Sequence, residues 1–149
     1  MTARARDLPA PLGGYASVFG VRDLAGDVVH AGAFRRTIAG RGAVPLLVRH
    51  DTRLRAGLWR ELREDRRGLF VRGEIDPDAP GAGLALTLLR AGVDGLSIGF
   101  TLVRGRARPE GGRDLLEIAL LEISLVVSPM CREARLFNAA RVSAYPRKP

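Results

Sequence analysis

The chain predicts an α+β, mainly β, single-domain barrel with peripheral helices, and three observations carry that prediction. Short apolar runs, several rich in β-branched residues, recur along the sequence and read as strands. Eighteen glycines and nine prolines punctuate them, which favours many turns over a helical bundle. The 149 residues are 46% hydrophobic and 27% charged, enough for one core, with no internal repeat and no linker. The count comes to six or seven strands and two or three short helices, the proportions of a barrel or compact sheet.

In chain order, residues 1–12 read as a flexible basic arm rich in arginine and proline, and the domain proper as 13–137. Tyr15–Phe19 is a first strand stopped by Gly20, and a turn at Asp23–Asp27 leads to a short helix at Ala33–Ala39 closed by Gly40. Val44–Arg49 reads as a buried strand. Leu58–Leu62 and Leu69–Ile75 form a hairpin around the charged turn at residues 64–68. Asp76–Gly81 breaks the sheet before a helix at Leu84–Arg90, with Gly92 in the usual stop position. Leu96–Val103 is a strand and Gly105–Gly112 an exposed, mobile loop. Leu115–Val127 reads as a strand, since isoleucine and valine dominate its second half and Pro129 ends it. Residues 138–149 read as a flexible tail.

Composition narrows the function. One cysteine, Cys131, excludes an internal disulfide framework and a cysteine-rich zinc site, and fits a reducing compartment. The first dozen residues lack the apolar core of a signal peptide, and the longest apolar stretch is too short to span a bilayer. The net charge is +8, with Lys148 the one lysine among 24 basic residues. Those residues are dispersed and aromatics make up only 5%, so direct nucleic-acid recognition is not expected. With two histidines, His30 and His50, and no glycine-rich phosphate loop, dinucleotide fingerprint or GxSxG elbow, neither a metal, a cofactor nor an α/β-hydrolase site is predicted.

What remains is Ser97 with His50. A serine hydroxyl becomes a useful nucleophile when a nearby base takes its proton, and imidazole is the usual base near neutral pH. In Gly95-Leu96-Ser97-Ile98-Gly99-Phe100, alternation turns Ser97 and Gly99 away from the apolar set. Spacing alone leaves open an ordinary strand serine and a structural histidine.

Five blocks in order carry a resemblance. Gly14-Tyr15-Ala16-Ser17-Val18-Phe19 leads into Asp23, Gly26-Asp27 and Gly32-Ala33-Phe34, and Pro45-Leu46-Leu47-Val48-Arg49-His50-Asp51 precedes Gly57. Gly68-Leu69 comes with Val71 and Gly73, and Asp94 opens the serine block. Leu121-Glu122-Ile123-Ser124-Leu125-Val126 is followed by Pro129 and Ala134. Together they resemble the tailed-phage (caudovirus) prohead serine protease family over roughly residues 13–136. His30, where members often carry proline, and Met130-Cys131 depart from the pattern.

The resemblance implies a fold like that of herpesvirus assemblins and a serine endopeptidase active in phage or phage-like head maturation, in a phage, prophage or gene transfer agent. Its substrate would be the major capsid protein or its scaffolding segment, and the enzyme itself, inside assembling proheads in the bacterial cytoplasm. Self-association is left open, and a catalytically inactive capsid-assembly or scaffold protein of the same fold is the alternative. Ser97 would be the nucleophile and His50 the general base. Glu122, in the closing block, would be the orienting acid, ahead of Asp51, His30 and Glu117. Asp51 stands lower because adjacent strand residues point to opposite faces. Ser124 shares a face with Glu122 but falls outside the serine block. The oxyanion hole is placed only loosely, near residues 105–112.

Overall fold

A computed structural model describes residues 11–147. Seven strands form one sheet in the order β1-β5-β4-β3-β7-β2, with β6 paired to the other edge of β7. The strands are β1 (Leu12–Val18), β2 (Val28–Val29), β3 (Val44–Val48), β4 (Asp51–Glu64), β5 (Gly68–Ile75), β6 (Gly95–Ala107) and β7 (Arg113–Val126). Three helices accompany them: α1 (Arg35–Ile38), α2 (Ala82–Arg90) and α3 (Ala139–Ala144). The fold is mainly β with few helices, as expected, and the sheet curls into a half-barrel. No helix among the described residues is long and apolar enough to cross a membrane.

Apolar alternation on the central strands builds one core. Leu46 and Val48 of β3, Trp59 of β4, Leu69 and Val71 of β5, Leu96 of β6 and Ile123 and Leu125 of β7 are all buried in it. Trp59 settles its indole N–H on the carbonyl of Ile123 at 3.1 Å, so a large aromatic is buried without an orphaned donor. On α2 the small Ala82 and Ala85 are the buried residues, and Gly92 takes a left-handed φ of 89° just past its end.

The two edges, β1 and β6, are joined at one end by residues 134–137. Tyr15 N–H donates to Arg135 and Phe137 N–H to Gly13 on the β1 side, while Leu96 N–H donates to Ala134 and Leu136 N–H to Asp94 on the β6 side. A Cβ at Gly14 would lie 2.2 Å from the Arg135 carbonyl oxygen, so this close approach requires glycine.

Four expectations are corrected. Strand β6 runs to Ala107 and β7 starts at Arg113, so residues 105–107 of the predicted 105–112 loop belong to the hairpin ladder and only 108–112 form the turn. Strand β4 begins at Asp51 rather than 58, and Leu12, assigned to the basic arm, already pairs with Gly73. Residues 1–10 of that arm lie outside the described residues. The predicted tail is folded as far as it is described. Helix α3 buries Val142, Tyr145 stacks on Phe70 with ring centroids 3.6 Å apart, and Arg72 donates to the carbonyls of Val142 and Tyr145.

Candidate active site

The site lies on the face of β6 and β7 opposite the core. In the antiparallel ladder Ser97 faces Ser124 and Gly99 faces Glu122. Directly opposed residues share a face, so period-two alternation gathers all four there while Leu96, Ile123 and Leu125 enter the core. Strand β3 runs parallel to β7 on its other edge, with Leu47 beside Ser124 and Val48 beside Leu125. This register delivers the end of β3, and with it His50, onto the same face.

His50 sits in a tight turn. Val48 pairs with Asp51, leaving Arg49 and His50 as a two-residue connection with φ of 54° and 60°. Positive φ at both central positions matches the twist of a hairpin but suits glycine or asparagine. Each non-glycine residue there costs ~1–3 kcal/mol and persists only where the surroundings hold it. Two backbone contacts do so: Arg49 N–H donates to the carbonyl of Leu125 at 3.1 Å, and His50 N–H donates to Ser124 Oγ at 2.9 Å.

The imidazole of His50 is hydrogen-bonded through Nδ1 to Glu122 Oε1. The second carboxylate oxygen, Oε2, accepts from the hydroxyl of Ser124 at 2.7 Å. Glu122 is buried, Ser124 fully so, and His50 partly open to solvent. The Glu122 bond raises the pKa of His50 above the ordinary imidazole value, against an opposing contribution from desolvation. With Nδ1 committed, Nε2 is the ring atom left for proton transfer. Gly99 makes room for the carboxylate, since a Cβ there would lie 2.2 Å from Glu122 Oε1.

Ser97 and His50 border one cleft of about 270 Å³, walled by Leu96, Phe100, Leu115 and Cys131 among others. A second cleft of about 400 Å³ also borders His50 and reaches Gly99, Glu122, Pro45 and Leu47. Burial pushes the Cys131 thiol pKa up, away from the reactive thiolate.

Of the four groups weighed as partner of His50, the structure brings Glu122 to it. Asp51 turns back onto Arg53, accepting from its backbone N–H and its guanidinium. His30 is bonded to Asp114 at 2.8 Å, alongside Arg106 and Arg108, and this cluster holds the Asp114 carboxyl well below the usual range. Glu117 lies 3.6 Å from Arg36. Ser124, read from sequence only as a serine sharing the carboxylate's face, touches both partners. The glutamate-to-serine spacing of two on β7 was the available signal.

The predicted oxyanion region is also placed. The Arg108 and Gly111 amides bond within the turn and the Arg113 amide bonds Asp27, at the opposite end of the β6–β7 ladder from Ser97.

This fold is shared with solved viral proteases. The bacteriophage T4 capsid assembly protease superposes with a TM-score of 0.63 at 14% identity, covering 78% of this chain and 80% of that one. The KSHV protease, solved with a hexapeptide phosphonate inhibitor, gives 0.57 at 17% identity, covering 85% and 63%. Sequence similarity narrows the class: the profile of the caudovirus prohead serine proteases matches residues 2–147, and the chain belongs to that family. The prohead protease of Enterobacteria phage HK97 is 38% identical over 94 residues, which span 61% of this chain and 42% of that protein. The match thus extends over less than half the length of that curated relative.

Proposed function

We propose that the protein is a serine endopeptidase that cleaves the major capsid protein or its scaffolding segment, and itself, during maturation of a phage or phage-like head. The observation that carries this reading is the meeting of Ser97 and His50 at one cleft, with Glu122 on the far nitrogen of the imidazole. Membership of the prohead protease family supports a capsid-related substrate.

In the proposed mechanism Ser97 Oγ attacks the scissile carbonyl as His50 Nε2 takes its proton. The imidazolium then protonates the leaving amine, and the acyl-enzyme is hydrolysed by water activated at the same nitrogen. Glu122 fixes the ring tautomer through Nδ1–H and stabilises the imidazolium while it exists. A substrate chain reaches Ser97 from the apolar cleft, whose largely preformed walls orient it. The work would take place inside assembling proheads in the host cell.

The test is co-expression with the major capsid protein of the same phage or phage-like particle, followed by mass spectrometry of the capsid N-terminus. Wild type removes an N-terminal segment, and Ser97→Ala, which keeps the fold, slows removal by on the order of 10⁴-fold or more. A fluorophosphonate labels Ser97 in the wild type. Near-normal cleavage by Ser97→Ala would remove the nucleophile assignment. An inert wild type, in assembled particles as well, would leave a capsid-assembly role without catalysis.

A further inference from the structure

We infer that Ser124 is a positioning residue, its buried hydroxyl tying the His50 backbone to the Glu122 carboxylate. The inference rests on the proposed roles of His50 and Glu122 and adds a fourth residue that never meets substrate.

A serine hydroxyl has one proton and two lone pairs. At Ser124 the proton goes to Glu122 Oε2 at 2.7 Å, and a lone pair receives the His50 N–H at 2.9 Å. The residue is fully buried, so this hydroxyl is shielded from both water and substrate. Its place follows from three registers at once. It lies two residues from Glu122 on one face of β7, beside Leu47 of β3, and opposite Ser97 of β6. The hydroxyl therefore stands beneath the nucleophile, the base and the acid together.

Two consequences follow. The carboxylate cannot turn, because one oxygen is held by Ser124 and the other by His50 Nδ1. The left-handed backbone of His50 is pinned by the same hydroxyl, so the acid and the base share one anchor. The bond to Oε2 also draws on the negative charge of the carboxylate and tempers its pull on the imidazolium. Removing the hydroxyl strengthens that pull, so His50 loses its proton only at higher pH. Asp51 and the other charged groups that border the two clefts at His50 are engaged elsewhere: Asp51 with Arg53, Arg55 with Asp76, Asp27 with Arg113, and Asp23 with the Ala25 and Asp27 amides.

The rate of Ser97 labelling by a small fluorophosphonate, measured against pH in the full chain, tests this without a known cleavage sequence. A lost hydrogen bond to a charged group corresponds to roughly tenfold or more in rate. Ser124→Ala should therefore label at least that much more slowly, with its pH midpoint moved upward. Ser124→Thr keeps donor and acceptor and should return both toward wild type. Glu122→Gln should move the midpoint the other way, which a merely structural defect does not do. Wild-type rate and midpoint in Ser124→Ala overturn the inference. If alanine unfolds the chain, read from Trp59 emission, Ser124→Thr is compared with Ser124→Cys, a poor donor of similar size, and equal labelling by the two overturns it. A wild type that fails to label at Ser97 removes the protease reading itself, whereas a labelled wild type with an insensitive Ser124→Ala removes only this inference.

Discussion

An imidazole bonded to a buried carboxylate keeps its proton to higher pH than a free one, and His50 is raised in this way, chiefly by Glu122. A general base must be neutral to act, so the acidic limb of kcat/KM is expected above the ordinary imidazole pKa of about 6.5. Glu122→Gln removes the charge that favours the imidazolium. Its limb should fall toward the ordinary value while the plateau rate drops, and a limb that stays in place would detach Glu122 from His50. Gly99→Ala tests the same contact sterically. Its Cβ would meet Glu122 Oε1 at 2.2 Å, and that carboxylate is held on both oxygens. Activity should fall by about tenfold or more with little change in urea midpoint. Sequence was informative here because alternation assigns a side chain to a face. It set Ser97 and Gly99 together and ranked Asp51 below Glu122. It gave no access to hydrogen-bond partners across strands, and Ser124 therefore stood as a bystander on the right face.

The elements that escaped the sequence reading are those lacking a one-sided apolar pattern. Residues 104–107 of β6 are exposed throughout, so their arginines and glycine look like a loop although they pair with β7. The first turn of β4, Asp51 to Arg55, likewise has no buried residue. Helix α3 is six residues long, too short for a period to show. Its anchors come from the distant β4–β5 hairpin, namely Phe70 and Arg72 of β5 and, in the turn, the Asp65 carboxylate that accepts from both Tyr15 and Tyr145. A chain ending before Asn138 would strip Arg72 of two carbonyl acceptors while leaving its ion pair with Glu61. Unsatisfied buried donors cost about 1–3 kcal/mol each, so we expect a stability loss of at least about 2 kcal/mol, read as a lower urea midpoint. An unchanged midpoint would make the segment an ornament on the fold.

At the scale of the molecule, glycine and proline punctuation and short β-rich runs were enough to predict a mainly β single domain. Strand order was beyond them, since parallel pairing of β3 and β2 with β7 joins segments more than 70 residues apart. One optical probe reports on this assembly. Trp59 is the single tryptophan and is fully buried, bonded from β4 to β7 across β3. Its emission should be blue-shifted in the native state and should move red in one transition that coincides with far-UV circular dichroism. Separate transitions would reveal that the hairpin of β6 and β7 melts apart from the remaining sheet.

The join made by residues 134–137 has a further meaning for timing. Everything proposed for the chemistry, from His50 through Ser97 to Glu122, precedes it in the chain. Yet the amide of Leu96, immediately before the proposed nucleophile, is bonded to Ala134. A growing chain that has reached Glu122 therefore still lacks the partners of the Leu96 amide and of the Asp94 carbonyl. Only once residues 134–137 are made can the β1 and β6 margins be bridged in this way.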